Sequence, residues 1–281
     1  MARGELFGLL GPNGSGKSTL FKILSTLIPP AAGRARILGD DVARDPAAVR
    51  RRLGVVFQHP SVDALLSVEE NLRHHGRLYG LSGRRLAAAV DDVLRRLGLG
   101  ERRRERAGSL SGGLKRRVEV GKALVVAARV LLLDEPSTGL DPVARRDLLA
   151  YLGELRAAEG ITIVLTTHDM EEAARCDRVA ILDHGRLVAL GAPEALTAEV
   201  GGDVVVVHAR APEALRDAVR ARFGVEGRVV DGTLRLERAR GHELVRDLIE
   251  AFPDSVTTVT YGRPTLEDVY VRRTGHRLAE G

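Results

Sequence analysis

The chain has 281 residues, a formal net charge of +5 and 44% hydrophobic residues, enough for one large α/β domain and a smaller one. Aromatics make up only 3%, so the excess of arginine comes without the rings that stack bases, and charge alone does not make a nucleic-acid binder. No apolar run reaches membrane-spanning length, the N-terminal run flows into a Gly-rich loop rather than a secretory layout, and a lone Cys176 excludes a disulfide framework and reads as a packed thiol.

The positive charge is nearly all arginine; the lysines are Lys17, Lys22, Lys115 and Lys122. The arginine runs at 50–52 and 102–104 read as solvated faces. In chain order, residues 6–10 form an apolar strand that leads into GPNGSGKST, Gly11 to Thr19. This is the phosphate-loop pattern, and it sits where the pattern has mechanical meaning, after a strand and before the helical run LFKIL. Gly11, Pro12, Asn13, Gly14, Ser15 and Gly16 turn backbone amides inward around phosphates, and the helix that follows adds its positive end. Lys17 reaches the β- and γ-phosphates, Ser18 offers a hydroxyl to Mg²⁺, and Thr19 lies within reach of the phosphates.

A second buried strand is expected at 54–57, ending at Gln58. From 66 to 108 the periodicity is helical, SVEENLRHHGRLYG and then GRRLAAAVDDVLRRLGL, which predicts a small helical insert. His74 and His75 are adjacent on that helix, face different ways and read as solvated. LSGGLKRRVEVGKAL follows: Ser111 caps a helix whose first residues, Gly112 and Gly113, leave the amides uncovered, a second anion site. A second phosphate site on a chain that already has a phosphate loop is most economically explained by the nucleotide of another copy. VLLLDEPSTGLD opens with a strand at 130–133 buried on both faces; Asp134 at its end can hold Mg²⁺, and Glu135 next to it can polarise a water. Residues 161–165 form a fourth strand, followed by TTHD. Four polar clusters at four strand ends therefore converge on one site.

After Gly201-Gly202 the pattern changes to strand, helix, hairpin at Asp231-Gly232, helix, strand and a final helix capped by Thr265 and Asp268. The order β-α-β-β-α-β predicts a ferredoxin-like module. The expected organisation is thus a nucleotide-binding domain over 1–199, with its helical subdomain at about 66–108, and an accessory domain over 200–281.

These motifs, in this order and at these spacings, resemble the ATP-binding subunit of ABC transporters from Gly8 to about Ala198. GPNGSGKST is similar to its Walker A, Gln58 to its Q-loop residue, LSGGL to its signature, LLLDE to its Walker B, STGLD to its D-loop, and His168 to its switch histidine. The tail YGRPTLEDVYVRRTG and the stretch FQHPSVDALLSVEENL resemble the ATPases of daunorubicin-resistance-type exporters, whose permease is a separate type-2 polypeptide. The resemblance implies an α/β P-loop ATPase with a mostly parallel sheet and a helical subdomain. It implies a homodimer with two ATP and Mg²⁺, working at the cytoplasmic face of the membrane on a separate permease, with no nucleic-acid partner. In each site one copy would give Lys17, Ser18, Gln58, Asp134, Glu135 and His168, and the other Ser111, Gly112 and Gly113. Gln58 would sense Mg²⁺ and water, His168 would contact the γ-phosphate, and Asp141 would bridge the two sites.

Two features depart from that family. Members carry strands ahead of the phosphate-loop strand, with an aromatic that stacks on adenine; here the strand begins by Leu6, no aromatic precedes it, and Phe7 is expected in the core. Either the reading frame starts upstream, or the chain lacks a stacking contact of about 1–3 kcal/mol and exposes apolar surface and a strand edge. Leu114 replaces a frequent Gln, with a modest effect expected. Two other functions fit parts of the pattern: a soluble ABC-type ATPase acting on nucleic acid or ribosomes, and a truncated remnant that binds but does not hydrolyse.

Overall fold

The computed structural model describes residues 1–278. The chain packs as two compact units, one of Met1–Leu9 with Gly16–Thr167, the other of Leu10–Ser15 with the chain from His168 onward.

The first unit holds β1 (Leu6–Leu10), α1 (Lys17–Leu24), a short hairpin of β2 (Arg36–Ile37) and β3 (Asp40–Asp41), α2 (Pro46–Arg50) and β4 (Leu53–Val56). It continues with α3 (Val68–Leu78), α4 (Gly83–Arg96), α5 (Gly112–Val125), β5 (Val130–Asp134), α6 (Pro142–Glu159) and β6 (Thr162–Thr167). Its strands lie in the order β4-β5-β6-β1. β4 pairs with β5 and β5 with β6, both parallel, and the second register sets Asp134 opposite Thr166. Leu131 and Leu133 are fully buried and Leu132 nearly so, as a strand covered on both faces requires. Strand β4 stops at Val56, one residue earlier than its sequence predicts, because Phe57 turns outward and is 40% exposed. Strand β6 runs on to Thr167, since Thr166 and Thr167 are buried β-branched residues that suit the pleat.

Phe7 is buried, as expected of a strand residue. An open groove of about 540 Å³ runs past Met1, Leu24, Ile37, Val130, Leu132 and Val164.

Residues 66–108 carry helices α3 and α4. Ser67 and Glu70 make a capping box at the start of α3, each side chain taking the other's backbone N–H. Leu72, Val90 and Leu97 close the space between α3, α4 and α5. At Gly54 the sheet meets α5 so closely that a Cβ would lie 2.3 Å from that of Ala123, and this approach fixes α5 against β4.

Two expectations about charged residues change. Arg103 is not simply a solvated residue: its guanidinium bonds Glu69 at 2.8 Å and Asp91 at 2.9 Å and ties α3 to α4. That contact holds the Glu69 carboxyl down at about 2. His75 is half-buried, its ring 5.0 Å from that of Tyr79, while His74 is exposed. Burial, and then the charge of Lys122, lower the His75 imidazole to about 4.

The second unit contains α7 (Met170–Ala173), β7 (Arg178–Asp183), β8 (Arg186–Gly191) and α8 (Pro193–Ala198). It continues with β9 (Asp203–Ala209), α9 (Pro212–Phe223), β10 (Gly227–Val230), β11 (Thr233–Arg238), α10 (Gly241–Ala251), β12 (Val256–Gly262) and α11 (Leu266–Thr274). Cys176 is buried, its Sγ 3.7 Å from the Glu172 carbonyl. β7 and β8 form an antiparallel hairpin. The last four strands form a sheet ordered β10-β11-β9-β12, antiparallel throughout, which is the ferredoxin-like arrangement. Val205, Val207, Leu215, Val219, Leu244 and Leu248 form its core. Helix α11 opens on the expected Thr265–Asp268 capping box and packs on α8 and β8. Its Arg272 donates to the carbonyls of Glu199 and Val200, both at 2.8 Å.

The lowered His75 imidazole has a definite sign. Above its ordinary value of 6.5 the ring is neutral in folded and unfolded chains; as pH falls toward 4 only the unfolded chain gains the proton, and stability is lost. Between pH 6.5 and 4, His75→Gln is expected to lose about 2–4 °C less Tm than the wild type, with solvent screening of the half-exposed ring already discounted. Melting curves of both proteins across that range check it.

Candidate nucleotide site

The phosphate loop is shaped by steric constraint before any ligand is considered. At Gly11 an added Cβ would lie 2.4 Å from the Leu182 carbonyl and 2.6 Å from the Ser15 hydroxyl, so only glycine lets the loop sit on β7. Ser15 N–H donates to the Pro12 carbonyl at 3.2 Å, and Gly185 N–H to the Ser15 carbonyl at 3.1 Å. Ser15 is 2% exposed, and among the described residues its hydroxyl has no hydrogen-bond partner. Gly14 and Gly16 take left-handed backbone. Pro12, Asn13 and Gly14 stand at or near the surface, and Ser18 and Thr19 are exposed on the first turn of α1. This loop has the glycines, the free hydroxyl and the helix start that a triphosphate needs.

Lys17 is 4% exposed. Burial lowers its ammonium below the ordinary lysine range, and the charges of Glu135 and Asp134 push back upward. A buried cation next to two carboxylates is costly unless it is paired. Asp134, at the end of β5, accepts from the Thr166 hydroxyl at 2.6 Å. The same hydroxyl accepts from Glu135 N–H at 3.0 Å, so one side chain fixes both acidic residues.

Glu135 has φ 45°, a left-handed conformation that a non-glycine residue keeps only when its surroundings impose it. The surroundings are visible: Gln58 Nε2 and Thr138 Oγ1 each donate to Glu135 Oε2 at 3.1 Å. Lys17, Gln58, Asp134 and Glu135 are therefore brought together in the first unit, with Lys17 joined to the acidic pair by charge. The Asp134 carboxylate, the Ser18 hydroxyl and the Gln58 amide oxygen are donors of the hard-oxygen kind that suits Mg²⁺.

The segment from Ser111 to Gly113 opens helix α5. Ser111 caps α5, accepting from Leu114 N–H at 3.4 Å, and Ser111 and Gly112 are exposed. A Cβ at Gly112 would meet Leu140 at 3.0 Å, and one at Gly113 would meet Ala144 at 3.2 Å. Asp141 caps α6, accepting from Val143 and Ala144 N–H at 3.0 and 2.9 Å. Asp141 thus has a local structural task besides any role between copies. His168 follows β6 directly, is exposed and precedes Asp169, the cap of α7.

Sequence reasoning missed two organising residues. Thr166 is one, legible only once β5 and β6 are in register. Arg116 is the other: it is 5% exposed and donates to the carbonyls of Phe57, Gln58 and Pro136 at 2.8, 3.0 and 2.9 Å, with Glu119 at 2.7 Å as its counter-charge. One side chain thus pins the Gln58 loop and the segment after Glu135 to the signature helix. An Arg and a Glu three apart in LKRRVEV were the available signal.

Fold and site together define a P-loop ATPase with the ABC-type signature turn. Residues 1–138 match the family model described as ABC transporter. A daunorubicin resistance ATP-binding protein of Streptomyces coeruleorubidus is 40% identical, over 98% of this chain and 89% of that protein. A Nod factor export ATP-binding protein I of Rhizobium sp. (strain N33) is 39% identical over 99% and 90% of the two chains. A solved structure from Clostridium perfringens, part of an ABC transporter complex, superposes with TM-score 0.66 and 31% identity, covering 80% of this chain and 86% of that one. The chain belongs to the ATP-binding proteins of ABC transporters, in the exporter group that contains the daunorubicin-resistance and Nod-factor proteins, and its activity is ATP hydrolysis. Among the described residues, no helix is long and apolar enough to cross a membrane.

Arg116→Met leaves Glu119 buried without its cation and frees three carbonyls. The expected cost is about 3–5 kcal/mol of stability, read by denaturant titration. Arg116→Lys is expected to recover only part of it, because one ammonium cannot reach all the carbonyls that the guanidinium fork serves.

Proposed function

We propose that the chain is the ATP-hydrolysing subunit of an exporter, acting as a head-to-tail homodimer on a separate permease at the cytoplasmic face of the membrane. The reading rests above all on one observation: Glu135, held in left-handed backbone, shares its carboxylate with Gln58 next to the buried Lys17. The exposed, glycine-opened turn at Ser111 supports the dimer, since its amides are free for a phosphate carried by a second copy.

In this reading Gly11 to Thr19 wraps the β- and γ-phosphates, and the Lys17 ammonium balances their charge. Ser18, Asp134 and Gln58 would hold Mg²⁺, and the ion would neutralise phosphate charge. Glu135 takes the proton from the attacking water, and its fixed backbone keeps that carboxylate from swinging away. His168 contacts the γ-phosphate, Ser111, Gly112 and Gly113 of the second copy close over it, and Asp141 bridges the two sites. The cargo class, a drug, antibiotic, lipid or polysaccharide, is supported by the names of the relatives alone and would be selected by the permease.

Glu135→Gln keeps the shape and the Gln58 contact but removes the base. Hydrolysis is expected to fall by about 10²–10⁴-fold, while ATP now holds the chain as a dimer in size-exclusion light scattering. Turnover near that of the wild type would contradict the role given to Glu135; a strictly monomeric, ATP-saturated variant would contradict the shared site.

A further inference from the structure

Three side chains that the ATPase chemistry does not use meet at one point of the second unit. Asp183 ends β7, His184 forms the turn into β8, and His276 follows the left-handed Gly275 that closes α11. One ligand atom from each lies within 4.8 Å of the others. His276 Nε2 is 3.4 Å from Asp183 Oδ2, and His184 Nε2 is 4.0 Å from Asp183 Oδ1. Ligands at about 2.0–2.2 Å around a tetrahedral ion are separated by about 3.3–3.5 Å. The Asp183–His276 edge already has that length, and His184, whose side chain is 86% exposed, is free to swing inward.

The outer contacts orient the ligands. The Tyr270 hydroxyl, fully buried, donates to Asp183 Oδ1 at 2.8 Å and leaves Oδ2 for an ion. His276 Nδ1 lies 3.1 Å from the Arg277 carbonyl, which places the ring proton there and turns the Nε2 lone pair toward the carboxylate. A lone pair aimed at a carboxylate oxygen needs something positive between them. A proton serves one imidazole; a metal dication serves both imidazoles and the carboxylate at once.

We propose that Asp183, His184 and His276 form a binding site for a zinc-class dication, with water completing the shell. Two imidazoles and one carboxylate favour such an ion over Mg²⁺ or Ca²⁺. The turn that carries His184 also carries Gly185, whose N–H holds the Ser15 carbonyl of the phosphate loop at 3.1 Å. The ion would therefore fasten the end of the chain, through His276, to the turn under that loop. The inference does not depend on the dimer or the exporter reading.

The test uses the full chain, stripped of metal with chelator and free of nucleotide and Mg²⁺. It is titrated with Zn²⁺ by calorimetry and with Co²⁺ by visible absorption. The expected result is one ion per chain, an X-ray absorption spectrum with two imidazoles on zinc, and affinity at least ~10-fold weaker in His184→Ala and in His276→Ala. His184 is exposed, so its variant should fold, and an unchanged melting temperature without metal confirms that. Tyr270→Phe tests the orienting contact, with a loss of about 10–100-fold in affinity expected. No saturable binding, wild-type affinity in both histidine variants, or binding lost in Asp134→Asn but kept in those variants would each overturn the proposal.

Discussion

The organisation of this protein depends on the cost of a buried ammonium. Lys17 is taken out of water at the start of α1, and the charges that compensate it come from residues more than a hundred positions away at the end of β5. Burial without those carboxylates would neutralise the lysine, and the carboxylates without it would repel one another. The pairing explains why β5 must end where it does, and why the end of β6 supplies a threonine. Thr166 can donate to Asp134 and accept from Glu135 N–H through one hydroxyl. A valine of the same shape would pack as well but could do neither.

Much of this was legible in the sequence because its signals are local. The phosphate loop needs glycines at fixed short spacings, here Gly11, Gly14 and Gly16, the strands are unbroken apolar runs, and the hairpin at Asp231-Gly232 places both turn residues in left-handed backbone. The ferredoxin-like order follows from alternating patterns and was readable before any pairing was known. What stayed hidden depends on distant partners. Arg103 reads as one of a run of arginines, and only the fold shows that it has Glu69 and Asp91 to hold. Arg116 looks like a surface residue of a charged helix start, yet it is buried because the Gln58 loop and the Pro136 turn present three carbonyls to it. His75 misleads for the same reason: its neighbour His74 is exposed, and one step around the helix meets the Tyr79 ring.

The signature turn and the segment after Glu135 form one mechanical piece. Gly112 and Gly113 have no side chains partly because Leu140 and Ala144 already occupy that space. Asp141 caps α6 within the same contact. Arg116, one turn further along α5, grips the Pro136 carbonyl. Arg116 therefore ties the position of Pro136 to that of helix α5, whose exposed start is at Ser111.

This arrangement relates stored strain to function. Glu135 pays for left-handed backbone with three bonds, its own N–H donating to the Thr166 hydroxyl and its carboxylate accepting from Gln58 and Thr138, and each of those partners belongs to a different stretch of chain. The Glu135 carboxylate is thus held in place only while β6, the Gln58 loop and the turn after β5 agree in position. Arg116 touches two of the three. A carboxylate on a relaxed backbone would be easier to fold but would report nothing about its neighbours. Held in this way, its placement follows the Gln58 loop and the turn after β5, and under the proposed function hydrolysis would follow both.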